Sequence, residues 1–191
     1  MTGGFRHVAD EVVAIGKVHT FVQATFEAPD GSSFARDVLR SPGAVAVVPV
    51  LADSGLVRLV RQYRGPYDRW LIEVPAGTRD VPGEPPAECG RRELAEEAGL
   101  AAAEMIHLAD VLPSPGMTDS VLSVFLATGC TPVPRELHGV EEEHMELVDV
   151  TFDEALAMID RGEIGDAKTL TGLLLAARRA LGLRRAQPPE G

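Results

Sequence analysis

Cysteine is scarce. The 191 residues hold two, Cys89 and Cys130, in no CxxC arrangement. That excludes a disulfide-built scaffold and a cysteine zinc site, and both thiols are expected to be small buried hydrophobes. Long apolar runs are also missing. No stretch reaches the ~18 apolar residues that a membrane-crossing helix needs, and Met1-Thr2-Gly3-Gly4-Phe5-Arg6-His7 has no apolar core of a secretory leader. The expected location is the cytoplasm, with no membrane partner. Basic charge is in deficit: 18 Lys and Arg against 29 Asp and Glu give a net charge of −11. Nonspecific binding to nucleic acid or anionic lipid needs a basic face and is excluded. A chain this acidic holds a phosphorylated ligand only through cations or a local arginine cluster. Internal repeats and low-complexity tracts are absent as well.

What is present suits a globular protein: 45% hydrophobic and 25% charged residues, enough chain for one domain with a real core. Residues 18–40 read as a hairpin about Pro29-Asp30-Gly31. Ser41-Pro42-Gly43 then marks a boundary between an N-terminal β appendage (1–42) and a main domain (43–183), with a frayed tail over 184–191. Residues 44–50 form a continuous apolar strand, buried on both faces. Further strands are expected over 56–60, 70–74, 106–112, 120–127 and 145–150. A helix runs from Pro85-Pro86 to Gly99. Thr151 and Glu154 suggest a capping box for a helix over 152–160, and a last helix spans 168–183. Strands and helices in this order give an α+β class, with helices on both faces of a mixed sheet and a small antiparallel sheet in front.

The chemistry concentrates in GTRDVPGEPPAECGRRELAEEAGL, Gly77 to Leu100. Glu93, Glu96 and Glu97 stand at i, i+3 and i+4, so a helix puts three carboxylates on one face. Like charges at that spacing weaken a helix by a few tenths of a kcal/mol per pair. The cluster makes sense if divalent cations sit in it, and an all-oxygen set suits Mg²⁺, with Mn²⁺ as a substitute. Arg92 is placed to pair with Glu96. An acidic solvated face would explain the glutamates alone, but not the strand and glycine-bearing loop that lead into them.

This segment resembles the Nudix box of hydrolases that cleave nucleoside diphosphates linked to another moiety. From Arg92-Glu93-Leu94-Ala95-Glu96-Glu97-Ala98-Gly99-Leu100 it matches every defined position; the departure is six residues, not five, between Gly77 and Glu84. The resemblance implies an α/β/α sandwich. It also implies metal ligands at Glu93, Glu96, Glu97 and the Ala76 carbonyl, with Gly77, Glu84 and Arg92 as structural support.

Other segments resemble the ADP-ribose pyrophosphatase subfamily: Gln62-Tyr63-Arg64, Pro75-Ala76-Gly77, and Ser114-Pro115-Gly116-Met117-Thr118-Asp119. In that subfamily a loop glutamate activates water. Within Glu141-Glu142-Glu143-His144 the order of preference is Glu142, Glu143, Glu141. The catalytic set implied is thus Glu97 and Glu93 with Glu142 or Glu143. Substrate contacts are expected from Arg36, Arg40, Arg64, Gly116, Met117 and Thr118. Trp70 is expected to pack in the core. The implied activity is Mg²⁺-dependent hydrolysis of ADP-ribose to AMP and ribose 5-phosphate by a homodimer with exchanged N-terminal sheets. Two alternatives stand beside it: hydrolysis of a nucleotide sugar, NADH or a dinucleoside polyphosphate, or a non-catalytic nucleotide sensor.

Overall fold

The computed structural model describes residues 4–182. The expected tail over 184–191 and the last residue of the expected final helix lie outside them. Two sheets are present among the described residues. The first is a three-stranded antiparallel sheet of β1 (Arg6–Ile15), β2 (Thr20–Glu27) and β3 (Ser33–Arg40), in that order. Its β2–β3 turn uses the expected residues: Ala28 N–H donates to the Ser32 carbonyl, and Asp30 accepts from the Ser32 N–H. β1 is additional to the expected hairpin. All ten of its residues are exposed, so it carries no buried pattern by which a sequence could announce it.

The second sheet is mixed and eight-stranded. It contains β4 (Ala44–Leu51), β5 (Val57–Arg64), β6 (Arg69–Glu73), β7 (Ala76–Thr78), β8 (Leu100–Ala101), β9 (Glu104–Val111), β10 (Leu122–Pro132) and β11 (Glu146–Val150). The main order is β11-β5-β4-β10-β8, with β6 on β5, β7 on β4 and β9 on β10. β4 and β10 run parallel at the centre. Among the described residues there are four α-helices, α1 (Pro86–Ala98), α2 (Val140–Glu143), α3 (Phe152–Asp160) and α4 (Ala167–Ala180), and one 3-10 turn at Gly65–Tyr67. The class is α+β, with a small antiparallel N-terminal sheet.

Strand β4 explains the layering. Successive strand residues face opposite sides, and here both sides are apolar. Val45 and Val47 pack with Cys89, Leu94 and Ala98 of α1 and with Phe125. Ala46 and Val48 pack with Ala155 and Met158 of α3 and Leu173 and Ala176 of α4. Both cysteines are free and buried; burial pushes the Cys89 thiol up to about 12 and raises Cys130 as well.

Helix boundaries follow local chemistry. α1 starts with Pro86 in its first turn and stops at Gly99, whose φ of 62° closes the helix with its N–H on the Ala95 carbonyl. α3 is capped by the Thr151 hydroxyl, which accepts from the Glu154 N–H at 3.1 Å. The second half of the expected capping box is not made, because the Glu154 carboxylate is drawn to Arg161 at 2.7 Å. α4 begins earlier than expected: Asp166 is its N-cap and accepts from the Thr169 N–H and hydroxyl. Trp70 corrects another expectation. It is 39% exposed, with Arg61 over its ring at 4.8 Å and Tyr63 at its edge. It lies on the outer hairpin β5–β6, not in the core.

Candidate active site

Three elements meet at the box. β7 pairs with the start of β4, with Ala46 opposite Ala76 and Val45 opposite Gly77. The Pro75 carbonyl accepts from Val47 N–H, which fixes the strand's approach. α1 then lays its acidic face over β7. The Glu97 carboxylate accepts from the Ala76 N–H at 2.9 Å. Glu93 covers Gly77 so closely that a Cβ there would stand 1.9 Å from its carboxyl carbon. Glycine at 77 is therefore a space requirement, made by the carboxylate that lies on it.

The electrostatics are unusual for glutamate. Glu97 is only 6% exposed, and Glu93 9%. Burial lifts Glu97 to about 8, against the opposing Ala76 hydrogen bond. Burial likewise lifts Glu93 to about 7, against the attraction of Arg92. Two carboxyls short of compensating positive charge are held in a low-dielectric seat.

Arg92 organises the surrounding acids. It contacts Glu93 at 2.8 Å, Glu96 at 3.1 Å, Glu84 through two nitrogens at 3.3 Å and Asp80 at 3.4 Å. Burial opposes its charge, but the Glu84 hydrogen bonds and the charges of Glu93 and Glu96 outweigh that and raise its pKa. The additional residue between Gly77 and Glu84 is taken up in a turn, where Glu84 N–H donates to the Val81 carbonyl at 3.2 Å. Glu84 still reaches Arg92.

The oxygen-only donors and the deep burial of Glu93 and Glu97, which the single Arg92 contact on Glu93 does not offset, fit a hard divalent cation. Among the described residues no three acidic or histidine side chains already close on one point. Mg²⁺ tolerates that, since it keeps several waters and takes few protein carboxylates.

The acidic loop resolves into unequal members. Glu142, on the single-turn α2, is half-buried, whereas Glu141 and Glu143 are exposed. Glu142 accepts from the His138 N–H at 2.6 Å, and its charge reaches Glu97. His144 bonds the Val140 carbonyl and closes the turn. The helix itself was not expected from sequence, which marks only acidic residues there.

The expected substrate residues divide. Arg36, Arg40, Gly116, Met117 and Thr118 come together in a cleft of about 360 Å³ between the N-terminal sheet and the 112–119 loop. The loop is stitched to β3: Leu39 N–H donates to the Met117 carbonyl, and the Thr118 hydroxyl donates to the Leu39 carbonyl. Arg40 is committed to Asp10 at 2.8 Å and Asp119 at 3.1 Å. Arg36 lies over the Phe34 ring at 4.8 Å and is exposed.

Arg64 is not in this cleft. Its guanidinium clasps Glu73 at 2.9 and 2.7 Å, and Lys168 contacts the same carboxylate. Glu73 is 1% exposed. Burial alone would raise it, but Arg64 and Lys168 outweigh that and hold it below the ordinary carboxylate range. Sequence reasoning missed this network and the Asp10–Arg40–Asp119 set. Each depends on strand partners distant in the chain.

The sequence model of the NUDIX domain family matches residues 40–173. The chain is 35% identical over 162 residues to the ADP-ribose pyrophosphatase of Bacillus subtilis (strain 168), covering 85% of this chain and 86% of that protein. It is 35% identical over 184 residues to the ADP-ribose pyrophosphatase of Mycobacterium tuberculosis, covering 96% and 88%. A solved structure described as an ADP compounds hydrolase superposes with a TM-score of 0.80 at 22% identity, covering 97% of this chain and 99% of that one.

Proposed function

The chain belongs to the NUDIX domain family, whose hydrolases generally use divalent metal ions, and on that premise we propose that it hydrolyses the diphosphate bond of ADP-ribose to AMP and ribose 5-phosphate. The observation that carries the reading is the buried pair Glu93 and Glu97 seated on Gly77 and Ala76 beside Arg92. The two ADP-ribose pyrophosphatases at 35% identity, aligned over most of their length, support the choice of substrate.

In this reading Glu93, Glu96, Glu97 and the Ala76 carbonyl would hold Mg²⁺, or Mn²⁺ in its place, which would supply charge neutralisation for the diphosphate and a more acidic water. Arg92, tied to Glu84, keeps Glu93 and Glu96 in position. Glu142 accepts a proton from the attacking water, and Glu143 is the second choice. The water oxygen bonds to one phosphorus while the bridging P–O bond breaks. The cleft at Arg36, Gly116, Met117 and Thr118 takes the nucleoside end.

Residues 1–42 are read as a dimerisation appendage and 43–183 as the catalytic domain. Phe5, Val8, Val12, Val13 and Ile15 are all exposed on or beside β1, an apolar surface that a second copy would cover. No helix among the described residues is long and apolar enough to cross a membrane. Two free buried thiols suit the reducing cytoplasm.

Chelation tests the reading. EDTA should abolish turnover of ADP-ribose, Mg²⁺ should restore it, and Mn²⁺ should restore part. Turnover that survives exhaustive chelation would remove the metal role.

A further inference from the structure

Arg135 lies on the segment between β10 and α2, and the box gives it no role. Its aliphatic stem lies against Gly99: a Cβ there would stand 2.7 Å from Arg135 Cγ. Val133 N–H donates to the Gly99 carbonyl at 2.9 Å. The segment is thereby fastened to the C-terminal end of α1, two residues past Glu97.

The guanidinium is the anomaly. Its Nε and Nη2 are buried and have no hydrogen-bond partner. Buried polar nitrogens are nearly always paired, and an arginine keeps its charge even when burial lowers its pKa. Glu97 and Glu142 act on its charge favourably through space, and Arg58 acts against it. Neither acid satisfies those two nitrogens. Glu97 accepts from Ala76 N–H, and Glu142 accepts from His138 N–H. Arg58 is itself committed to Asp149 at 2.7 Å and to the Ala98 carbonyl. Two unpartnered guanidinium nitrogens are therefore carried on a segment fastened two residues past Glu97, within electrostatic reach of Glu97 and Glu142. The planar fork of a guanidinium matches two oxygens of a phosphoryl group.

We propose that Arg135 is a substrate-binding residue that holds a phosphoryl oxygen of the diphosphate next to the Glu93–Glu97 face. The inference rests on the site assigned above, and it supplies that strongly acidic protein with a cation of its own for the ligand.

The test compares wild type with Arg135→Gln and Arg135→Lys, all with Mg²⁺. Two quantities are read: KM and kcat on ADP-ribose, and the calorimetric affinity for inorganic diphosphate, which needs no nucleotide. Loss of a charge-assisted hydrogen bond predicts KM raised about tenfold or more in Arg135→Gln, with diphosphate affinity reduced by a similar factor. Arg135→Lys keeps the charge and should recover part of both. A merely structural residue would lower the melting temperature and leave the KM of the folded fraction alone. A folded Arg135→Gln whose KM and diphosphate affinity stay within about twofold of wild type overturns the proposal. If Arg135→Gln does not fold, Arg135→Lys decides: KM raised about threefold or more supports the proposal, and unchanged KM and diphosphate affinity overturn it. If wild type leaves ADP-ribose intact, the diphosphate titration still tests Arg135, so the substrate reading then fails separately.

Discussion

A single methyl group at position 77 would occupy the space of the Glu93 carboxyl. Gly77→Ala should displace that carboxylate and lower kcat/KM about a hundredfold, the scale expected when a reacting group moves by roughly an ångström. The melting temperature should change little, because Gly77 sits on a three-residue edge pairing rather than in the apolar core. Glu73 makes the opposite prediction. Glu73→Gln leaves Arg64 and Lys168 without their shared carboxylate and should cost about 2–3 kcal/mol, below the ~3–5 of a fully buried pair because Arg64 is partly exposed. Since the native pKa of Glu73 is depressed, its contribution is complete above its unfolded value of about 4.3 and is lost as pH falls through the native value. The melting difference between wild type and Glu73→Gln should therefore be constant from neutral pH down to about pH 5 and shrink below about pH 4. At this scale the acidic face was legible, because Glu93, Glu96 and Glu97 lie within one helical turn and their spacing alone places them together. Arg64 was not. Its partner Glu73 lies on the neighbouring strand, and no local pattern distinguishes an arginine aimed at substrate from one aimed across a hairpin.

Helix α1 was readable because its punctuation is local: prolines at the start, Gly99 at the stop. The start of α4 carried a weaker signal. Asp166 caps it without a glutamate three residues on, so no capping box draws attention to it. Asp166→Ala should cost about 1–2 kcal/mol, the upper range for a cap, because the same carboxylate also holds Lys168 at 3.0 Å and the Thr169 hydroxyl at 2.6 Å. Thr169 in turn accepts from the Val74 N–H at 2.9 Å, two residues before Ala76. The variant should therefore lose some activity along with stability, which thermal melting and kcat read separately. β1 was invisible because a strand with every residue exposed has no inside to reveal. α2 was invisible because four residues make one turn, too short for any period.

The whole molecule exposes Phe5, Val8, Val12, Val13 and Ile15 at one sheet. A size-exclusion column should report a dimer for wild type. Val12→Lys combined with Ile15→Lys should shift it to monomer and weaken turnover; a monomeric wild type with full activity would discard the appendage role. At the scale of the whole molecule the proposed activity is hydrolysis of ADP-ribose on the Glu93–Glu97 face. Product analysis with Mg²⁺ across ADP-ribose, nucleotide sugars, NADH and diadenosine polyphosphates, run on wild type and Glu97→Gln, tests it most directly. Wild type should give AMP and ribose 5-phosphate from ADP-ribose in preference to the rest, and folded Glu97→Gln should lose at least about a hundredfold. Near-wild-type turnover by Glu97→Gln, or no product from ADP-ribose in wild type, would contradict it.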